Sequence, residues 1–551
     1  RAVLPADSWS RSATVRVMLL AVVVPSALLL TLTPLAPARG EVRSSEPSVA
    51  ASLAPGIGSR VLVQDPKPAK QSRRRRKAWQ ASLKLPTDLW QDVTAETIGE
   101  TAEWTNKVEL ADIDGDGRVD ILFANGGDYD KPGTAVPTRV FRNQAKGKWP
   151  EITAQVFGDA TFFARVVKAR DVNADGIVDL FVGTTFQTQS RLFLGKGKGQ
   201  FVDATASNLP AMPLSIGDVE FGDYDQDGDL DLVLADWGPG SPMKNEGARQ
   251  RLWRNDGGKF TDVTEQCIPD VKVKFCWELE FVDVDNDFDL DLLVSSKKSK
   301  GSFLFHNDGA GKFIDVSKRC LPQFTNNYEF EAMDVDGDGY LDLVTINDGA
   351  GRRRFAEHLF RADGEGGFVD ATDAVWPQAD NPQYDDNMVA FLDYDSDGDA
   401  DFLIASLNGV ERVLVNDGQG NFAAGAPVFG GERTRATLGL AIADLNGDHR
   451  MDCVHAEGEV PRAEADKVFF GKSIAPDTAP PFIGRLDAQP SDGGLLVRVR
   501  VHDRKSPCMP SDWRRILLHV DNGAEEIAVE MSWYGEYLWR AEVKAAKGAN
   551  L

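Results

Sequence analysis

The sequence predicts an all-β protein: a seven-bladed β-propeller whose last blade is closed by an N-terminal strand, followed by a truncated C-terminal β-sandwich. Three observations predict it. One aspartate-rich stretch is written seven times, short apolar runs flank every copy, and a strand–turn–strand pattern occupies the intervals between copies.

The seven copies are ADIDGDGRVDILFA, ARDVNADGIVDLFVG, GDYDQDGDLDLVLA, VDVDNDFDLDLLVS, MDVDGDGYLDLVTI, LDYDSDGDADFLIA and ADLNGDHRMDCVHA. Their first aspartates are Asp112, Asp171, Asp223, Asp283, Asp334, Asp393 and Asp444, separated by 59, 52, 60, 51, 59 and 51 residues. A period of about 50–60 residues suits a propeller blade and is longer than that of the common helical solenoids. In the intervals, RLFLGKGKGQFVDAT, RLWRNDGGKFTDVT, FLFHNDGAGKFIDVS and HLFRADGEGGFVDAT each read as a strand, a glycine-containing turn and a strand. With an apolar run on either side of each acidic loop (Val108–Leu110 and Ile121–Ala124 around the first), each repeat supplies four strands, and no helical periodicity is evident.

The phase of the repeats predicts how the ring closes. The F-x-D-[VA]-[TS] strand follows most acidic loops, in degenerate form after the first (WPEIT) and the sixth (NFAAG). After the seventh comes only Val468–Ser473 and then proline. The missing strand stands at the other end, where Leu89-Trp90-Gln91-Asp92-Val93-Thr94 precedes the first acidic loop. Pairing it with the last repeat removes two open sheet edges.

From about Asp88 to Ser473 the chain therefore resembles the FG-GAP/VCBS repeat family, whose blades are similar to those of the integrin α-subunit propeller. Seven copies agreeing in spacing and flanks make this resemblance specific.

Calcium is a hard cation that takes six to eight oxygen ligands. A D-x-D-x-D-G-x-x-D loop offers side-chain oxygens at positions 1, 3, 5 and 9 and a backbone carbonyl at position 7, and the glycine at position 6 allows φ > 0. The candidate ligands of the first loop are Asp112, Asp114, Asp116 and Asp120 with the Arg118 carbonyl, and of the second Asp171, Asn173, Asp175 and Asp179 with Ile177. The third has Asp223, Asp225, Asp227 and Asp231 with Asp229, and the fourth Asp283, Asp285, Asp287 and Asp291 with Asp289. The fifth has Asp334, Asp336, Asp338 and Asp342 with Tyr340, and the sixth Asp393, Asp395, Asp397 and Asp401 with Asp399. The seventh has Asp444, Asn446, Asp448 and Asp452 with Arg450.

An EF-hand is excluded by its need for Glu at position 12, where Phe123 and Leu234 stand in the first and third loops, and by the strands on either side. Converging carboxylates repel without a cation. Up to seven structural Ca²⁺ ions are expected, which would move the formal charge from −24 to about −10 and stabilise the folded state by mass action. The fourth and seventh loops are expected to be the weakest, because Phe288 and His449 replace the glycine.

The remaining features bound the function. A net charge of −24 and a pI near 4.8 argue against a nucleic-acid partner. Arg11 and Arg16 precede an apolar run, Val17–Leu32, and Ala36-Pro37-Ala38 offers a cleavage site, so residues 1–38 read as an export signal, or alternatively as an uncleaved anchor. No other stretch approaches a membrane span, and the location expected is secreted, extracellular or periplasmic, at the cell surface. Residues 39–87, with the basic run Arg73–Lys77, read as a flexible linker. Five cysteines are too few for a disulfide scaffold, and Cys276 could pair with either Cys267 or Cys320.

Residues 474–481 form a proline-rich linker, and 482–551, with strands expected at Leu495–His502, Ile516–Val520 and Tyr537–Val543, resemble part of an immunoglobulin- or fibronectin-III-like domain. Trp513, Trp533 and Trp539 are expected in its core.

The acidic loops and the NDG-type turns fall on one face of the propeller. The longer loops Asn125–Thr138, Asp236–Arg249 and Asn347–Glu357 fall on the other, with Tyr129, Trp237, Arg352, Arg353, Arg354, Trp376 and Tyr384 as candidate exposed groups. The resemblance to the integrin-like family makes this second face the ligand face. Neither a GxSxG, an HExxH, a Walker loop nor a dinucleotide fingerprint is present. The expected function is an adhesion or protein- or glycan-binding scaffold without catalysis. The alternative is a carbohydrate-active enzyme of the polysaccharide-lyase kind, or a lectin, on the same propeller.

Overall fold

The computed structural model describes residues 16–23, 79, 83, 86 and 88–544, except 145, 348–355, 428, 430–435, 460–463, 492–493 and 522–525. Almost all regular structure is β. Five four-stranded antiparallel sheets follow one another along the chain, each built from consecutive strands. The one that carries the second acidic loop comprises Ala164–Arg170, Asp179–Thr184, Arg191–Gly195 and Phe201–Asp203. An earlier sheet has three strands, Thr105–Ala111, Asp120–Asn125 and Arg139–Phe141, extended by a bridge from Phe141 to Glu151.

A sixth four-stranded sheet is assembled from both ends of the repeat region. Thr437–Ala443, Asp452–Glu457 and Lys467–Gly471 are completed by Trp90–Asp92, with Trp90 opposite Gly471 and Asp92 opposite Phe469. The side chains explain why this strand fits. In the second sheet Asp203 Oδ1 accepts the Thr205 N–H, and Thr205 Oγ1 accepts the Leu192 N–H at 3.0 Å. At the seam Asp92 Oδ1 accepts the Thr94 N–H, and Thr94 Oγ1 accepts the Val468 N–H at 3.0 Å. Thr153, in the degenerate WPEIT stretch, binds the Val140 N–H in the same way.

The first strand of each sheet lies against that of the next, and Thr437–Ala443 lies against Thr105–Ala111, an order that fits a propeller. The seam between them is tied by Asp466, which accepts from Thr105 Oγ1 at 2.9 Å and from the Glu457 N–H at 2.9 Å. Aliphatic and aromatic side chains from adjacent sheets form the buried clusters between them, for example Val166, Phe181, Phe221 and Trp253.

Several expectations require correction. Helical turns do occur, at Thr153–Phe157, Thr205–Asn208, Thr264–Cys267, Ser317–Cys320 and Thr372–Val375. They start at the Thr or Ser of the D-[VA]-[TS] motif, and four or five residues are too few to leave a periodic signal. No disulfide joins the cysteines, and Cys276 donates instead to the Glu278 carbonyl. Trp237 and Trp376 are fully buried rather than exposed, and Tyr129 and Tyr384 are half-buried. Trp237 packs with Phe275, Trp277 and Tyr328 around Arg165, whose guanidinium lies 4.1 Å from the Trp277 ring centre. Arg352, Arg353 and Arg354 lie outside the described residues, as do most of residues 1–38 and 39–87, although Trp79 and Leu83 pack beside Trp90.

The tail contains a four-stranded sheet of Phe482–Ser491, Gly494–His502, Leu538–Lys544 and Ser532–Gly535, and a three-stranded one in which Trp513–Asp521 pairs with Glu526–Glu530 and with Arg16–Val23. Val497, Val499, Trp513, Ile516, Leu518 and Trp539 share one cluster, placing the tryptophans in the core as expected. Among the described residues no helix is long and apolar enough to cross a membrane.

Candidate metal centres

Each acidic loop leaves the first strand of its sheet and returns into the second. The position-1 carboxylate turns back over the loop: Asp112 accepts the N–H groups of Gly115, Asp116 and Gly117 at 2.7–3.1 Å. The position-5 carboxylate accepts the N–H of position 7, as Asp116 does from Arg118 and Asp175 from Ile177. Equivalent bonds run from the N–H groups of Asp229, Asp289, Tyr340, Asp399 and Arg450 to the carboxylates of Asp227, Asp287, Asp338, Asp397 and Asp448.

Position 9 has a second task that its place in the motif does not reveal. It is the first residue of the second strand and is buried. Asp120 accepts from Ile113 in its own loop and from Asn143 at the end of the third strand. Asp179, Asp231, Asp291, Asp401 and Asp452 bond the same two places. Burial pushes Asp120 and Asp452 up to about 8, and Asp231 to about 9. A group that resists ionisation when bare needs a cation nearby to remain a carboxylate at neutral pH.

Carboxylate oxygens of the loops converge. In the first loop carboxylate oxygens of Asp112, Asp114 and Asp120, whether or not they also accept hydrogen bonds, lie within 4.8 Å of one another, as do those of Asp223, Asp225 and Asp227, of Asp283, Asp285 and Asp287, and of Asp334, Asp336 and Asp342. Oxygens bound at about 2.3–2.6 Å across one Ca²⁺ are separated by at most about 5 Å, so these sets fit a divalent cation. Position 6 has positive φ throughout: 84° at Gly117, 81° at Gly176, 70° at Phe288 and 65° at His449.

The tail docks on this face, which composition and spacing did not foretell. Arg540 pairs with Asp223. Arg500 reaches Asp283 at 3.2 Å, Arg498 stands 3.6 Å from Asp289, Arg485 donates to the Gly339 carbonyl at 3.1 Å, and Arg504 donates to that of Gly398. Tyr534 donates to the Phe288 carbonyl and accepts, through its own carbonyl, the Asp223 N–H. The first, second and seventh loops lack such arginines among the described residues. A cavity of about 780 Å³ separates the first and seventh loops from tail residues such as Asp503 and Arg514.

Comparison with known families matches an FG-GAP-like repeat at residues 112–182, 171–234, 283–345 and 393–455. The chain carries FG-GAP-like repeats. These matches begin on the first ligand positions of the first, second, fourth and sixth loops, so the FG-GAP-like units coincide with the acidic loops. The search of curated proteins finds no match. Among solved structures, BBS1N in complex with ARL6DN, soaked with mercury or with lead, overlays at 10% identity with TM-scores of 0.41 and 0.42. These overlays cover 71% of this chain and 100% and 99% of those chains. The V. cholerae biofilm matrix protein Bap1 overlays at 12% identity and a TM-score of 0.30, covering 80% of this chain and 82% of its own.

Proposed function

We propose that the chain is a secreted, calcium-stabilised seven-bladed β-propeller that acts as a binding scaffold, with residues 482–551 forming a small sandwich against its acidic face. The observation that carries this reading is the convergence of carboxylate oxygens in strand-flanked loops of the FG-GAP-like repeats. Calcium supplies the charge that buried aspartates such as Asp231 require, and so holds the loops in shape rather than signalling. The tail covers the loops of the third to sixth sheets, leaving the face of Asn125–Thr138 and Asp236–Arg249 for an extracellular protein or glycan partner. Polysaccharide-lyase or lectin activity on this face is the second reading.

The favoured export reading has the segment ending near Ala38 cleaved, the alternative being an uncleaved anchor. Cleavage there would take away Arg16–Val23 and open the edge of Trp513–Asp521.

The test is capture of extracellular proteins and glycan arrays by the secreted chain, in calcium and in chelator. Binding lost on chelation and restored by calcium supports the scaffold reading, and binding indifferent to chelation overturns the role given to the metal. Cleavage of an acidic polysaccharide would replace the scaffold reading with the enzymatic one.

A further inference from the structure

Where the tail meets the central channel there is a second kind of acidic cluster that the repeats do not contain. The first strands of the sheets line the channel with alternating charged side chains, and most of these are paired. Arg170 holds Glu109 at 2.6 Å, Lys168 holds Glu220 at 2.6 Å, and Lys107 holds Asp218 at 2.7 Å. At the tail, Lys505 holds Asp512 at 2.9 Å.

Among the described residues, four carboxylates make no ion pair within 4 Å, although Lys107, Lys168 and Lys505 line the same cavity. Glu280 and Glu331 come from the first strands of the fourth and fifth sheets, and Glu536 from the tail turn between Ser532–Gly535 and Leu538–Lys544; their oxygens lie within 4.8 Å of one another. Glu329 lines the same cavity of about 100 Å³. One oxygen of Glu329, which is 1% exposed, has no hydrogen-bond partner, and the same holds for one oxygen each of Glu280 and Glu536. The other oxygens of Glu280 and Glu329 accept the N–H groups of Ala332 and Val389, fixing both side chains. The backbone of the turn carrying Glu536 is fixed: Trp533 Nε1 donates to the Glu536 carbonyl at 2.6 Å, and the neighbouring Tyr537 hydroxyl donates to the Ala332 carbonyl at 2.6 Å. Burial drives all four carboxyls upward, Glu536 to about 8.

We propose that Glu280, Glu331 and Glu536, backed by Glu329, bind one divalent cation at the mouth of the channel, with calcium the fit for an all-oxygen set. The cavity has room for the ion and for two or three waters, at roughly 30 Å³ each, to complete its coordination. The ligands come from two sheets and the tail, so the ion clamps the tail onto the ring. This site is separate from the repeat loops and does not depend on their occupancy.

The test is calcium stoichiometry of the full chain by native mass spectrometry, with Tb³⁺ luminescence sensitised by Trp533 and Tyr537 as a second readout. Glu536→Gln, and independently Glu280→Gln, should each bind one ion fewer than the wild type and lose a discrete part of the Tb³⁺ emission. Asp112→Asn should lower the count without that loss. Replacing a carboxylate by an amide removes repulsion, so these variants should fold at least as readily in chelator. A folded Glu536→Gln or Glu280→Gln chain that binds as many ions as the wild type would overturn the proposal and leave shared protons as what holds the cluster together.

Discussion

Phe288 and His449 stand at the sixth position of their loops, at φ 70° and 65°, where the other loops have glycine, yet their surroundings differ completely. Phe288 is 3% exposed, packed with Tyr224 and Leu290 beneath Tyr534, with the Arg498 guanidinium 5.2 Å from its ring centre. Its loop carries a guanidinium on Asp283 and no fully exposed residue. His449 lies in solvent beside Asn446, Gly447 and Asp448, and its loop is held by the Asp477 N–H donated to the His449 carbonyl at 2.6 Å. One backbone departure therefore has two causes. In the fourth loop the cost of positive φ is offset by burying an aromatic ring against the tail. In the seventh it is offset by little.

The sharpest way to break this contrast is Arg500→Ala. Asp283 is 2% exposed, and removing one partner of a buried pair costs about 3–5 kcal/mol. Denaturant unfolding in chelator should show that loss, and saturating calcium should recover much of it; an equal loss in both would mean Arg500 acts by packing alone.

Phe288→Gly relieves positive φ, worth about 1 kcal/mol, but empties a site whose ring contributes about 3–5 kcal/mol. A net loss of about 2–4 kcal/mol is expected from the same measurement.

On the open side, Asp466 sits at the seam with its pKa raised to about 7 by burial. A carboxyl raised above its unfolded value favours folding at low pH. That contribution is complete below about pH 4 and is lost as pH rises through 7, at up to about 1.4 kcal/mol per pH unit. Asp466→Asn should flatten this part of the pH–stability curve, and an unchanged curve would place the titration elsewhere.

The smallest effect is His449→Gly, which should gain about 0.5–1 kcal/mol because nothing packed is lost. A loss would show that the imidazole, whose Nδ1 stands 3.9 Å from Asp444 Oδ2, contributes more than that exposed contact suggests.

Much of the repeat region was legible because its information is local and repeated. Asp, Gly and apolar residues recur at fixed offsets, and the strand Trp90–Asp92 could be assigned to the last sheet from a missing Asp-x-Thr alone. The side chains at position 9 were legible as ligands but not as the pins joining the loop to the third strand, since those bonds run to backbone N–H groups that no side-chain pattern marks. The docking of the tail was illegible for a different reason. Arg498 and Arg500 alternate along a strand as a solvated face would, and only the third dimension brings them onto Asp289 and Asp283. Trp237 was misjudged because a long loop usually runs over the surface, whereas here its indole donates to the Cys276 carbonyl and closes over Arg165.

The strand that completes the final sheet also sets the order of events when the chain is made. Trp90–Asp92 leaves the ribosome early, but its partner Lys467–Gly471 appears some 375 residues later. Until then the early strand has no mate and the sheet it belongs to does not exist. At synthesis rates of about 5–20 residues per second, that wait is on the order of tens of seconds. The intermediate sheets can assemble as they emerge, but the sheet of Trp90–Asp92 can form only once Lys467–Gly471 is made, in a single long-range step of the kind that slows folding.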